Sequence, residues 1–284
     1  VPIHDSPWGT TIARWQKEGL SEGVSAADRF GFEFHGNGGD NTLQLPIETK
    51  EETDEYVVRT TGDGALQRNW KARTSTPELI GFTITTREQW EEHKPRMAMN
   101  DSRVNWEAQK QAYEAARKKG MFCFMSLGPG FTKVCNMVGP ERLLMAMVDD
   151  PDWVKDMVLT FADFTIRHPQ VLFAEEGKPD AMWFYEDMGF KEKPFMSPAM
   201  YEEIMLPGHK KLFEYSHDLG LKVVVHSCGY VEPLVPGLIQ AGMDCLQAME
   251  VKAGMDLPKL AKRFGSRISF CGGIDIRIVG SNDF

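Results

Sequence analysis

Five times between residues 107 and 273, a stretch with helical periodicity runs into a short, continuously apolar segment. Glu107 to Lys119 is Ala-rich and amphipathic, stops at Gly120, and leads into M-F-C-F-M-S-L (Met121 to Leu127). Pro151 to about Phe173 leads to A-M-W-F-Y-E-D (Ala181 to Asp187); Ser197 to Leu219 stops at Gly220 and leads to K-V-V-V-H-S-C (Lys222 to Cys228). Two shorter units follow, Glu232 to Gly242 before D-C-L-Q-A-M (Asp244 to Met249) and Leu257 to Gly265 before R-I-S-F-C-G-G (Arg267 to Gly273). Parallel strands need a long crossover, usually a helix, and strands covered on both faces read as unbroken apolar runs. The pattern therefore predicts βαβ units around a parallel sheet, with P-I-H-D-S at the start as a further strand.

Such strands fit an open doubly wound sheet or a (β/α)8 TIM barrel. No G-x-G-x-x-G follows the first strand, and polar residues finish several strands: Asp5, Glu186 with Asp187, His226 with Cys228, Gln247 with Glu250, and Asp275 just beyond the last. Chemistry gathered at many strand C-termini is what the active face of a barrel requires, so the barrel is the expected α/β fold. The first quarter is different. Turn signals alternate there with short β-type runs, and Gly62-Asp63-Gly64 between runs containing Val, Thr and Trp predicts a β-hairpin. Residues 1–284 are thus read as one barrel domain with an N-terminal antiparallel β decoration over about 31–86.

The net charge of −9, with no Lys/Arg run interleaved with aromatic residues, speaks against nucleic acid as a partner. No apolar stretch reaches the roughly 18 to 20 residues that span a bilayer, and the N-terminus lacks a charged-then-apolar signal pattern, so a cytoplasmic location is expected. Five cysteines (Cys123, Cys135, Cys228, Cys245, Cys271) are an odd number in a large acidic chain, which suits free thiols or metal ligands better than a disulfide framework.

The segment V-V-V-H-S-C-G (Val223 to Gly229) concentrates the chemistry. Successive side chains on a strand point to opposite faces, so His226 and Cys228 look the same way with α-carbons about 6 to 7 Å apart. An imidazole nitrogen at ~2.0 Å and a thiolate at ~2.3 Å can then converge on one zinc. Gly229 removes bulk at the rim. A catalytic zinc takes three protein ligands, and Glu250 and Cys271, at the ends of the next two strands, are the candidates for the third. The competing readings are a solvated loop carboxylate and core thiols. Cys123 and Cys245 sit within apolar runs and read as structural; Cys135 falls on a predicted helix. Glu186 and Asp187 can orient a substrate, relay a proton, or cap the following segment. The loop S-L-G-P-G-F-T (Ser126 to Thr132) can bring backbone close to a ligand, or be a simple turn.

Taken together, W-F-Y-E-D-M-G-F-K from Trp183, S-P-A-M-Y-E-E-I-M-L-P-G-H-K-K-L from Ser197, V-V-V-H-S-C-G and G-G-I-D (Gly272 to Asp275) resemble the uroporphyrinogen decarboxylase superfamily from about Pro151 onward, and V-P-I-H-D at the start fits as well. The resemblance implies a (β/α)8 barrel. Within that superfamily H-x-C-G is similar to the zinc motif of the cobalamin-dependent methyltransferases, which move a methyl group between a corrinoid protein and a thiol or folate. Their further Cys ligand lies nearer the C-terminus than this sequence extends, and relatives begin a helix earlier, so truncation at both ends is expected. The decarboxylases carry an Arg-rich N-terminal segment, and T-I-A-R-W (Thr11 to Trp15) offers one Arg.

The expected function is accordingly a zinc-dependent methyltransferase, with zinc on His226, Cys228 and Glu250 or Cys271, and with Glu186 and Asp187 orienting the substrate. A corrinoid would come from a separate partner protein, the other reactant being a small methyl donor or acceptor. A metal-free tetrapyrrole decarboxylase and a non-catalytic ligand-binding barrel are the alternatives.

Overall fold

The computed structural model describes residues 2–128, 130–176 and 178–281. In chain order its strands are β1 (Phe34–Asn37), β2 (Thr49–Glu52), β3 (Tyr56–Thr60), β4 (Ala65–Trp70), β5 (Glu78–Phe82), β6 (Phe122–Leu127), β7 (Ala181–Tyr185), β8 (Lys222–His226), β9 (Cys245–Ala248) and β10 (Ser269–Gly272). They form a six-stranded sheet in the order β1-β6-β7-β8-β9-β10 and a four-stranded sheet in the order β2-β3-β4-β5. Every pairing in the larger sheet is parallel and every pairing in the smaller one antiparallel. Among the described residues no ladder joins β1 to β10, so the parallel sheet has two edges.

The five helix-then-strand units stand where periodicity places them. Trp106–Lys118 is capped by the Asn105 side chain, which accepts from the Ala108 N–H, and ends before Gly120, whose φ of 70° favours glycine. Pro198–Asp218 is helical throughout, but Tyr201–Met205 widens into a π turn. Pro207, two residues on, has no N–H to give to the carbonyl of Glu203, which removes one rung of the regular ladder there. Gly62-Asp63-Gly64 lies in the β3–β4 turn, as the hairpin pattern requires.

The first parallel strand is a correction. P-I-H-D-S forms no strand: Ile3 exchanges one backbone bond with Glu33, whose N–H donates to the Ile3 carbonyl at 2.9 Å, while Ile3 N–H donates to the Glu33 carboxylate at 2.9 Å. Pro2 and Pro7 lack the N–H groups that a ladder would use. F-H-G-N (Phe34–Asn37) takes the place instead and pairs with β6, so the antiparallel sheet begins at Thr49 rather than near residue 31.

Alternation along each parallel strand sorts side chains into two layers. Met182, Phe184, Val223, Val225 and Leu246 face the helices and join the main core, where Phe161, Leu212 and Phe213 are also buried. Trp183 and Val224 face the other way, onto a second cluster with Phe124 and Phe34. That second face is the one carrying His226, and a cavity of about 680 Å³ opens on it, lined by Phe34, Trp183, Val224, Cys245 and Cys271. No helix among the described residues is long and apolar enough to cross a membrane.

Candidate metal centre

β7 and β8 are parallel neighbours in the middle of the sheet with Tyr185 opposite His226, so they end side by side at its carboxyl-terminal end. The chain leaves β8 with His226, Ser227 and Cys228, and leaves β7 with Glu186 and Asp187. One donor atom each from Asp187, His226 and Cys228 lies within 4.8 Å of the others, the arrangement a single ion needs. His226 Nε2 is 3.2 Å from Asp187 Oδ1 and 3.3 Å from Cys228 Sγ, and the Cys228 N–H donates to Asp187 Oδ1 at 3.0 Å. Cys228 is exposed, whereas the His226 side chain keeps only 14% of its surface accessible. The centre is therefore a partly buried imidazole and carboxylate under a thiol that faces the opening.

Electrostatics hold the charged forms together. Burial works against ionisation of Asp187, but hydrogen bonds from His226 and the Cys228 backbone hold its carboxyl below the usual range. For His226 burial acts downward, and the bonds to Asp187, Cys228 and Gln247 outweigh it, pushing the imidazole up to about 10.

The supports are local. The Asp187 N–H donates to Thr132 Oγ1 at 2.7 Å, tying the end of β7 to the helix Phe131–Val138. The Met188 N–H donates to Ser227 Oγ at 3.1 Å, and the Ser227 N–H donates to the Gln247 carbonyl at 2.6 Å. Gly189 and Gly229 bring the two loops into backbone contact, with a β-carbon on Gly189 falling 2.7 Å from the Gly229 carbonyl carbon.

The two neighbouring carboxylates divide. Glu186 is fully buried and turns away from Asp187, toward the start of the helix Phe131–Val138, where Thr132 N–H approaches its Oε2 at 3.4 Å. Its Oε1 faces His209 Nε2 at 3.5 Å, and Tyr201 O–H meets His209 Nδ1 at 2.9 Å. Burial raises the Glu186 carboxyl above its ordinary range, with His209 opposing the shift. Of the roles open to the pair, Glu186 has the geometry of a helix cap and Asp187 that of a ligand. The alternation that put His226 and Cys228 on one face also separates Trp183, Tyr185 and Asp187 from Phe184 and Glu186, so this division had a sequence signal.

The two remaining candidates lie apart from the group. Glu250 Oε2 accepts the Gly229 N–H at 2.8 Å and so braces the loop after Cys228. Cys271 sits opposite Gln247 on β10, two strands from His226 or roughly 10 Å in α-carbon position, and lines the inner-face cavity. Cys123 is buried in β6, and Cys135 is half-buried on Phe131–Val138. In the Ser126 to Thr132 loop, where residue 129 lies outside the described residues, the Gly128 carbonyl accepts from Asn41 Nδ2 at 3.1 Å.

Residues 71–281, which include every residue of this centre, match the family described as uroporphyrinogen decarboxylase. The chain belongs to the uroporphyrinogen decarboxylase family. A methyltransferase from Methanosarcina mazei is a similar solved structure, with 14% identity and a TM-score of 0.58 over 86% of this chain. The likeness extends to 65% of that methyltransferase, so this chain spans slightly less than two thirds of its length. At that identity the two share a fold. A solved Xaa-Pro dipeptidase with bound methionine in the active site, 14% identical over 70% of this chain and 48% of its own, has a TM-score of 0.32. No curated protein matches the chain. Within the family match, the metal-type donors come from the ends of β7 and β8, two adjacent strands of the parallel sheet.

Proposed function

We propose that this member of the uroporphyrinogen decarboxylase family is a zinc-dependent methyltransferase acting between a corrinoid carried by a partner protein and a thiol, folate or other small acceptor. The observation that carries the reading is the convergence of Asp187, His226 and Cys228 within 4.8 Å. A sulfur, an imidazole nitrogen and a carboxylate oxygen form a borderline donor set that suits zinc, and harder cations prefer all-oxygen sites. Three ligands leave a position open for a reactant. The sheet is read as part of a (β/α)8 barrel, on the support of sequential parallel strands with their polar residues at the C-terminal ends.

Zinc bound there would lower the pKa of a coordinated thiol and hold it as the anion at neutral pH. The chain's own residues prepare that position. Cys228 faces the opening, Gly229 leaves the rim without a side chain, and the Tyr185 ring lies 4.9 Å from the His226 ring. Glu186 shapes the floor from behind by fastening the end of β7 to the helix Phe131–Val138.

The test is elemental analysis followed by transfer assays. About one zinc per chain is expected, lost in His226→Ala and Cys228→Ala, together with methyl transfer from methylcobalamin to at least one member of a panel of thiols and folate. A protein that binds no zinc and releases carbon dioxide from uroporphyrinogen would replace this reading with decarboxylation.

A further inference from the structure

His226 has a second ring nitrogen, and its partner comes from the next strand. The β8–β9 register sets His226 directly opposite Gln247, with both side chains on the inner face of the sheet. There His226 Nδ1 is hydrogen-bonded to Gln247 Oε1, while Nε2 looks the other way, at Asp187 Oδ1 and Cys228 Sγ. An amide oxygen only accepts, so this contact calls for the proton on Nδ1. In the neutral imidazole the lone pair is then on Nε2, the nitrogen that faces the other two donors. The Gln247 carbonyl also accepts the N–H of Ser227 at 2.6 Å, so one residue holds both the ring of His226 and the backbone between His226 and Cys228.

We infer that Gln247 is a positioning residue for the metal centre, fixing the His226 tautomer and ring angle so that Nε2 serves as the ligand. The inference rests on the metal reading given above. It differs from a packing role in what it requires: a hydrogen-bond acceptor at this place, rather than bulk. Loss of such an outer hydrogen bond costs a metal site roughly 10- to 100-fold in affinity.

The full chain, Gln247→Leu, Gln247→Glu and His226→Ala are compared by zinc competition against a chromophoric chelator, by the visible spectrum of the cobalt-substituted protein, and by imidazole ¹⁵N shifts in the zinc-loaded protein. Wild type is expected to carry a protonated Nδ1 and a metal-bound Nε2. Gln247→Leu should bind zinc roughly 10- to 100-fold more weakly, with an altered thiolate-to-cobalt band, and Gln247→Glu, which retains the acceptor, should recover affinity to within a few-fold. Wild-type affinity and spectrum in Gln247→Leu would overturn the positioning role and leave the metal centre standing. A loss that Gln247→Glu does not recover, accompanied by an equal fall in thermal stability of both variants, would also overturn it. Wild type that binds no zinc, or binds it as His226→Ala does, would overturn the metal centre and this inference together.

Discussion

Gly189 and Gly229 cross in backbone contact, and each lies within two residues of a metal-type ligand, Asp187 on one side and Cys228 on the other. The isolated antiparallel bridge between Phe190 and Tyr230 continues the crossing. Gly229 also has a φ of 78°, where a side chain is strained whatever the space. Gly229→Ala is therefore expected to lower stability by about 1–3 kcal/mol and to weaken zinc binding by pushing the two loops apart. Urea unfolding and zinc competition check this; a variant unchanged in both would show that the crossing does not hold the ligands.

Glu186 and Asp187 should respond differently to removal although they are adjacent. Glu186→Ala leaves the Thr132 N–H buried without its acceptor and removes the carboxylate that faces the buried His209 ring, and a loss of about 1–3 kcal/mol in unfolding free energy is expected, with zinc affinity little changed. Asp187→Ala removes the acceptor of the Cys228 N–H and the partner of His226, and should weaken zinc by more than the roughly 10- to 100-fold that an outer hydrogen bond contributes. The reverse pattern would exchange their roles.

Lys133 and Asp63 form a buried ion pair, Nζ to Oδ2 at 2.6 Å, between the helix Phe131–Val138 and the β3–β4 turn. Asn41 Oδ1 accepts from the same ammonium at 3.3 Å, and the Leu43 N–H donates to Asp63 Oδ1 at 3.3 Å. Burial pulls the Lys133 pKa down and Asp63 opposes it. Lys133→Met strands a buried carboxylate and should cost about 3–5 kcal/mol, whereas Lys133→Met combined with Asp63→Leu should recover much of that loss. A double-mutant cycle in urea measures the coupling; additive losses would mean that the pair does not fasten the antiparallel sheet.

The thiols should label in an order set by exposure and ionisation. Burial, with Asp187 nearby, pushes Cys135 up to about 11, and burial, with Cys271 and Asp244, pushes Cys245 up to about 12. At pH 8 their thiolate fractions are roughly one in a thousand and one in ten thousand, rising tenfold per pH unit below those values. Iodoacetamide should modify the exposed Cys228 first, zinc should protect it, and raising the pH should bring in Cys135 ahead of Cys245. Peptide mass spectrometry reads the order, and modification of Cys245 before Cys228 in the folded protein would contradict it.

The helix and strand alternation from Trp106 to Gly272 was legible because it rests on local periodicity, which neighbouring residues carry among themselves. The same holds for the Gly62-Asp63-Gly64 turn and for the shared face of His226 and Cys228, which follows from the two-residue period of a strand. Phe34–Asn37 was not legible as a parallel strand, since F-H-G-N has no apolar run of its own and becomes a strand by pairing with β6.

The sequence alone thus determined the parallel α/β class of fold, the family motif and the shared face of His226 and Cys228. Only the tertiary structure decided that Asp187 joins them while Glu186 caps a helix, that Glu250 braces Gly229, that Cys271 faces the inner cavity, and that Gln247 meets the far side of the imidazole. The physical reason is common to all of these. Which face a residue takes is a local property of the strand, but which residue stands opposite it depends on register between strands more than twenty residues apart, and that is set by how the whole sheet packs.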